Sequence, residues 1–311
     1  MSSANEVSVI IVEEATYDTT PAAGTWETMR LTSESLSATP QVNQSSEIRA
    51  DRMVADQFIV STASEGSMDF ELSMGGAFDL LLEGVMYNDW TTNVLKVGTS
   101  STEKSYSLEK EFGDLTANHI FLYSGMRVNQ MSLNVQYGEP VTGSFEMVGA
   151  TVATSSTSAV GGGTLNQATS TDVVNAVDGL SAINIAGTAF TGCIQAVTLN
   201  INNNFRPEQC IGSTTPGDQI PGTAVITGTV SAYLTDTTVQ WYTSQVLNNS
   251  AFDIQFTLSD GTNTYDFDLP NCRISGSAPS ATGIDTDVMA DIEFTALRDA
   301  TAASSLVVTR T

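Results

Sequence analysis

The sequence predicts a mainly β protein in which one fold occurs twice, each copy with a flanking α-helix and a long polar loop. Several segments alternate apolar and polar residues with the period of a strand, whereas residues 78–86 have apolar side chains at helical spacing. The order of strand, long loop, strand, helix and further strands then returns in the second half. The predicted units are residues 1–150 and 172–300.

Composition supports a folded chain and disfavours several functions. Hydrophobic residues make up 41% of the 311 residues, so a core can be buried. The 35 Asp and Glu outnumber 11 Lys and Arg, giving a formal charge of −24. Because phosphate binding depends on basic residues and counterion release, this balance argues against a protein that grips nucleic acid. It suits a surface past which a polyanion slides.

The first unit begins with a predicted strand at 28–36, a polar loop at 37–64, a strand at 66–74 and then the helix. The apolar face of the second strand carries Met68, Phe70, Leu72 and Met74. Further strands are predicted at 104–112, 126–138 and 141–148. Residues 151–171 are rich in Ser, Thr, Ala and Gly, which predicts a linker or surface loop between the units.

The second unit repeats this order. A strand at 198–203, a polar loop at 204–221 and a strand at 222–234 precede a helix that Asp236 can cap. The apolar stripe of that helix is Val239, Tyr242, Val246 and Leu247. The remaining strands are predicted at 252–258, 264–269 and 287–297, and residues 301–311 form a C-terminal extension. Aligning residues 144–148 with 291–295 puts Glu146 opposite Glu293.

Residues that could carry chemistry indicate no enzyme, cofactor or metal site. The three cysteines, Cys193, Cys210 and Cys272, lack C-x-x-C spacing, and we expect buried free thiols. His119 is the only histidine and no G-x-S-x-G or phosphate-binding glycine motif accompanies it. The N-terminus has no basic stretch followed by a long apolar run, so we expect no membrane insertion and folding in a cytoplasm.

Three segments in a fixed order carry a family resemblance: TPAAGTWETMRLTSESL, SSEIRADR and EGSMDFELSMGGAFDLLLEGVM. Together they make the first half of the chain similar to the tail tube, or major tail, proteins of long-tailed, non-contractile bacteriophages. In that family six domains form a ring, each contributing a few strands to one continuous β-barrel, and the rings stack into a tube through which DNA passes. The resemblance therefore implies a tail-tube-type β-sandwich or barrel domain, duplicated here.

Two such domains per chain imply homotrimeric, pseudo-hexameric rings that stack into a tube, with a hexamer as the alternative. Stacked rings also have a physical rationale, because ring closure removes exposed sheet edges and head-to-tail contacts make an open filament. The resemblance further implies a virion tail protein assembled in the host cytoplasm. Its partners would be the tape measure, tail terminator and distal tail proteins, and DNA would pass without specific binding.

The two long loops are candidates for arms that order against a neighbouring subunit, as the corresponding loop does in the resembled family. The alternative is a solvated surface loop. The candidate residues are Glu47, Arg49, Asp51, Arg52 and Asp56 in the first loop, and Arg206 and Glu208 in the second.

Strand alternation and charge predict the lining of the channel. Where Phe70, Phe145 and Phe294 face the core, the opposite faces of their strands carry carboxylates. The candidate lining residues are Asp69, Glu71, Glu146, Asp291 and Glu293. A negative wall would let DNA pass without counterion-release binding.

Two other functions remain open from the residues alone. One is a β-sandwich binding module or another virion component, such as a head decoration or adhesin-like protein. The other, more distant, is a hydrolase, because two of the many carboxylates could form a glycosidase pair. Rings or tubes in negative-stain micrographs would separate a self-assembling protein from a binding module.

Overall fold

The structure is a computed structural model that describes residues 3–51, 53–98, 103–117, 119–180, 183–190, 192–241, 248–274 and 287–311. The helices are α1 Ala77–Met86 and α2 Asp236–Trp241. The strands are β1 Val7–Glu13, β2 Thr25–Thr28, β3 Ser33–Glu34, β4 Ser37–Gln44, β5 Gln57–Glu71, β6 Val94–Lys96, β7 Tyr106–Phe112, β8 Ile120–Gln136, β9 Thr142–Val148, β10 Thr151–Ser155, β11 Thr164–Asn166, β12 Asn184–Ile185, β13 Thr188–Ala189, β14 Ile194–Asn202, β15 Arg206–Glu208, β16 Asp218–Ile220, β17 Val225–Tyr233, β18 Phe252–Ser259, β19 Thr264–Ile274, β20 Met289–Ala296 and β21 Val307–Arg310.

One continuous antiparallel sheet crosses from the first half of the chain to the second. Its neighbouring strands run in the order β5, β9, β8, β14, β17 and β20. The long strand β8 makes this possible, because its first part pairs with β7 and β10 and its second part pairs with β9 and β14. The junction between the halves is therefore a β-ladder that pairs residues 130–136 with 196–202.

Helix α1 covers the apolar face of this sheet in the first half. It forms where apolar residues recur at helical spacing, and it ends at Tyr87, whose left-handed backbone stops the helix. Phe78 meets Phe70 edge-on at 5.4 Å between ring centroids, and Phe70 stacks on Phe145 at 5.0 Å. Burying each ring contributes about 1.5–3 kcal/mol. The core continues into the second half through Phe294, Ile226 and their neighbours.

The strand pairing follows the same order in both halves. In the first half β3 and β4 pair with β5, β5 with β9, β9 with β8 and β8 with β7. In the second half β14 pairs with β17, β17 with β20, β20 with β19 and β19 with β18. The duplication and its boundaries at 1–150 and 172–300 stay predictions, which a superposition of the halves would test.

The mainly β class, helix α1 and the strands with clear alternation are confirmed. The loop predicted over residues 37–64 is wrong: it is a β-hairpin in which β4 pairs with the first part of β5. The loop predicted over 204–221 likewise contains the hairpin of β15 and β16. Both were missed because one strand of each hairpin, β4 and β15, has no buried residue to impose alternation.

Other segments differ in detail. The predicted linker carries β10 and β11, which pair with β8 and β2. The predicted C-terminal extension carries β21, which joins β6 of the first half to β19 of the second. Helix α2 begins at Asp236, so Thr235 occupies the capping position that was predicted for Asp236. The predicted stripe residues Tyr242, Val246 and Leu247 lie outside the described residues.

The expectation of buried thiols holds for Cys272 alone. Cys193 and Cys210 are exposed. Cys193 precedes β14, and Cys210 lies in the loop between β15 and β16, so neither cysteine belongs to a core-forming strand.

Candidate assembly surfaces

The five predicted lining carboxylates lie on one face of the six-stranded sheet, which we call the acidic face. Residues paired across neighbouring antiparallel strands point to the same side of a sheet. Glu146 pairs with Ser67 and Gln130, so it shares a face with Asp69 and Glu71 two and four residues beyond Ser67. The ladder from β8 through β14 and β17 carries the same face to Glu293 and Asp291.

The side chains of the acidic face are polar and largely open to solvent. Glu146, Asp291 and Glu293 are exposed, whereas Asp69 and Glu71 are half-buried. Neutral groups separate the two acidic ends: Ser132 lies 2.8 Å from Ser144 between hydroxyl oxygens, and Asn202 donates to Gln130 at 3.2 Å. Helix α1 lies on the opposite, apolar face of the sheet.

Basic residues are nearly absent from these six strands. Arg127 in β8 is the only Lys or Arg that they contain. Its side chain is only 2% exposed and is bound to two carboxylates, Asp218 at 2.8 Å and Glu103 at 3.3 Å. The acidic face therefore offers a passing polyanion no free cation from its own strands.

The first arm consists of β4, residues 45–56 and residues 57–64 of β5. The predicted residues Glu47, Arg49, Asp51 and Asp56 lie at its exposed tip, and Arg52 lies outside the described residues. Arg49 approaches Asp51 at 3.3 Å and Glu47 at 3.8 Å. Such exposed pairs contribute about 0–1 kcal/mol, so they do not fix the arm.

The first arm also exposes apolar side chains. Val42, Phe58 and Ile59 are each about half exposed on its two strands, and Met53 near its tip is 72% exposed. Exposed apolar residues grouped on one projecting hairpin are typical of a surface that another protein covers.

The second arm consists of β15, residues 209–217 and β16. Arg206 and Glu208, the residues predicted there, are exposed. The two arms touch, because the Thr62 backbone N–H donates to the Thr214 carbonyl at 2.6 Å. Unlike the first arm, the second is held on the body of the protein.

Arg127 holds the second arm in place. Its guanidinium binds Asp218 and donates to the Gln219 carbonyl at 2.9 Å. Below it lies the Tyr17 ring, with 5.0 Å between the guanidinium carbon and the ring centroid. Burial raises the pKa of Tyr17, an effect that the nearby Arg127 charge opposes, so the ring stays neutral beneath the cation. The arm of the second half is thus docked on the first half.

Sequence reasoning missed this Arg127 site. Its two main members, Arg127 and Asp218, are 91 residues apart, and neither lies in a recognisable motif. One signal was available: Arg127 is the single basic residue in a long alternating strand, where a charge needs a partner.

The described residues form neither a metal-ligand cluster nor a helix that could span a membrane. No three His, Cys, Asp or Glu side chains converge there as a metal cluster. No helix in the described ranges has the length and apolar character to cross a membrane.

Comparison with known protein families gives a match over most of the chain. The sequence model of the family described as phage tail tube protein matches residues 4–296, nearly the whole chain. A comparison with curated proteins finds no match. The matched family is one of structural virion tail components, and the mainly β fold agrees with it. The chain therefore belongs to the phage tail tube protein family.

Proposed function

We propose that this protein self-assembles into rings that stack as the tail tube of a long-tailed, non-contractile phage and conduct DNA into the host. Three chains form each ring, and the two halves of a chain occupy neighbouring positions. Assembly takes place in the host cytoplasm. The tape measure, tail terminator and distal tail proteins are its partners along and at the ends of the tube.

The observation that carries this proposal is the unpaired sheet edge of the first half. Strand β14 of the second half pairs on both sides, with β17 and with β8. Its counterparts β3 and β4 pair only with β5 in the described chain. An open edge is a template for another strand, so a neighbouring subunit that supplies the missing partner would close the sheet into a ring.

Strand number favours three chains. With β4 and β19 added at the two ends of the six-stranded sheet, each half supplies four successive strands: β4, β5, β9 and β8, and β14, β17, β20 and β19. A trimer would then close a barrel of about 24 strands. At about 4.8 Å between strands, this gives a backbone diameter of about 37 Å before strand tilt widens it. Six chains would give about 73 Å. The smaller barrel leaves room for one double helix, whereas the larger one is much wider than a conduit needs.

The charge of the acidic face would determine how the conduit interacts with DNA. If the acidic face turns inward, its carboxylates, which include Glu146 and Glu293, would repel the DNA backbone. The single basic residue of the six strands is neutralised by its ion pairs. DNA would then slide without the counterion release that makes protein–DNA contacts sticky.

Electron microscopy of the purified protein tests the proposal. We expect rings at low protein concentration and stacked tubes at high concentration. A protein that stays monomeric at every concentration, as a binding module would, contradicts it.

A further inference from the structure

The second arm docks on the first half of the same chain through a small set of polar contacts. Within the chain, Arg127 binds Asp218 at 2.8 Å, and the Gln219 side chain donates to the Gly149 carbonyl at 3.2 Å. Gln219 is 3% exposed as a result. The dipeptide Asp218-Gln219 is therefore the part of the second arm that the first half recognises.

The first arm carries the same dipeptide at the same place. Asp56-Gln57 precedes Gly66 by the same spacing as Asp218-Gln219 precedes Gly228. Each aspartate accepts a hydrogen bond from the N–H of the following glutamine, at 2.8 Å in the first arm and 2.7 Å in the second.

The strand contacts near the arms also match. A Cβ at Gly66 would lie 2.6 Å from Leu36 Cα, and one at Gly228 would lie 2.3 Å from the Thr198 carbonyl oxygen. Both glycines thus allow the neighbouring strand to approach at the base of an arm.

The two arms differ in what covers them. Asp56 and Gln57 are exposed, whereas Gln219 is buried on the first half of the chain. The same contrast holds two residues before the strand partner of each glutamine, which is Gln44 for Gln57 and Pro207 for Gln219. At this position Val42 is 51% exposed, whereas Phe205 is half-buried, with 6.1 Å between its ring centroid and that of Tyr87. The first arm has the docking residues of the second and lacks the surface on which they dock.

Arg273 is the counterpart of Arg127 by strand register. Arg127 pairs with Val148 on β9, two residues after Glu146, and Arg273 pairs with Thr295 on β20, two residues after Glu293. Within the described residues no carboxylate lies in ion-pair distance of Arg273, whose guanidinium donates to the Asn249 carbonyl at 2.9 Å. The second half thus has a counterpart of Arg127, but among the described residues no arm of the same chain binds it.

We propose that Arg273 of one subunit binds Asp56 of the next, so that the first arm docks between chains as the second arm docks within a chain. This inference rests on the proposed ring assembly, and it names the contact that joins its subunits. The guanidinium would form a charge-assisted bond with the Asp56 carboxylate, and the Gln57 side chain would become buried beside it.

Charge makes this contact selective. The chain has a net charge of −24, so two copies repel each other unless a cation meets a carboxylate at their contact. After Arg127 the sequence has Arg206, Arg273, Arg298 and Arg310 as its only basic residues. Of these, Arg310 binds Asp79 and Arg206 lies in the second arm. Arg273 and Arg298 are therefore the remaining cations of the second half that could bind a carboxylate of another chain.

Charge reversal tests the pair. The variants are Arg273→Glu, Asp56→Arg and the double variant, with Arg298→Glu as a control that makes the same charge change at an exposed site in the same half. Circular dichroism and thermal unfolding of each monomer check the fold. Sedimentation and negative-stain microscopy then give the protein concentration at which rings form.

We expect each single reversal to raise that concentration by at least about 30-fold, because it places two like charges opposite each other at a desolvated contact. The double variant should assemble near the wild-type concentration, and Arg298→Glu should behave as wild type. Normal assembly of folded Arg273→Glu, or a double variant no better than the singles, would overturn the inference while the ring assembly stands. A wild-type protein that forms no rings would instead overturn the proposed function, and this contact with it.

Discussion

At the residue scale, Arg127 shows how one buried charge can join distant parts of a chain. A buried guanidinium is costly unless its partners stay in place, so it fixes where the second arm lies more than it adds stability. Its bonds to Asp218 and to the Gln219 carbonyl require the arm to adopt one position on the body. Among the described residues of the monomer, no comparable ion pair to the body fixes the position of the first arm.

The Arg127→Met variant should unfold more readily, by about 2–3 kcal/mol, because Asp218 loses its partner while the aliphatic part of the side chain is retained. Urea denaturation followed by circular dichroism measures this loss. The matched control is Arg298→Met at an exposed site, where we expect a change within about 0.5 kcal/mol. Equal stability of the two variants would show that Arg127 does not hold the arm.

The thiols should differ in reactivity. Burial raises the pKa of Cys272 to about 12, with further contributions from Asp253 and Asp268, so little reactive thiolate forms near neutral pH. At pH 8 a thiol reagent should modify Cys193 and Cys210 quickly and Cys272 only after unfolding. Because the pKa of Cys272 in the folded state lies above the ordinary thiol value of 9.0, its protonated form stabilises the folded state below about pH 9. This contribution is lost as the pH rises toward 12. Fast modification of all three thiols in the native protein would contradict the buried position of Cys272.

At the scale of elements, sequence reasoning succeeded where burial imposes a pattern. In helix α1 and strand β20 the apolar residues recur with the period of one buried face, so the type of each element could be predicted. The arms could not, because β4 has no buried residue and its sequence carries no period. The acidic face was predictable residue by residue, since exposure follows from alternation. Its continuity across the halves was not, because the ladder of β8 with β14 joins strands about 60 residues apart.

Shortening the first arm should separate folding from assembly. Replacing residues 43–58 with Asn-Gly joins Val42 to Ile59, which are register partners, through a two-residue hairpin turn. The removed segment has no buried residue among those described, so the variant should fold and stay soluble, with an unfolding midpoint near that of wild type. It should form no tubes in negative-stain micrographs. Tubes of normal length from this variant would mean that the arm is a solvated hairpin without a role in assembly.

At the scale of the whole molecule, a single sheet passes through both halves, and in the proposed ring the chain would be one segment of a larger curved surface. One side carries the aromatic core and α1, and the other is the acidic face. The family assignment makes this chain a tail component, and the proposed tube gives each side a task. In the proposed tube the apolar side would hold the wall together, and the acidic side would face the passing DNA.

Reversing charge on the acidic face should slow DNA passage. In a phage that carries Glu146→Lys and Glu293→Lys, tubes should still assemble, because both residues are exposed and outside the core. DNA ejection should become slower at low salt and recover at high salt, since the added cations bind phosphate by counterion release. Matched Glu→Gln replacements, which remove charge without reversing it, should have a smaller effect. Ejection kinetics equal to wild type in the Lys variant would exclude an electrostatic role for this face.

The most direct measurement is a cryo-electron microscopy reconstruction of the assembled tube. The account predicts three chains per ring, with the two halves alternating around the axis and the β3–β4 edge of each chain paired with its neighbour. Glu146 and Glu293 should both face the lumen. A ring of six chains would contradict the trimer, and carboxylates on the outer surface of the tube would contradict the conduit.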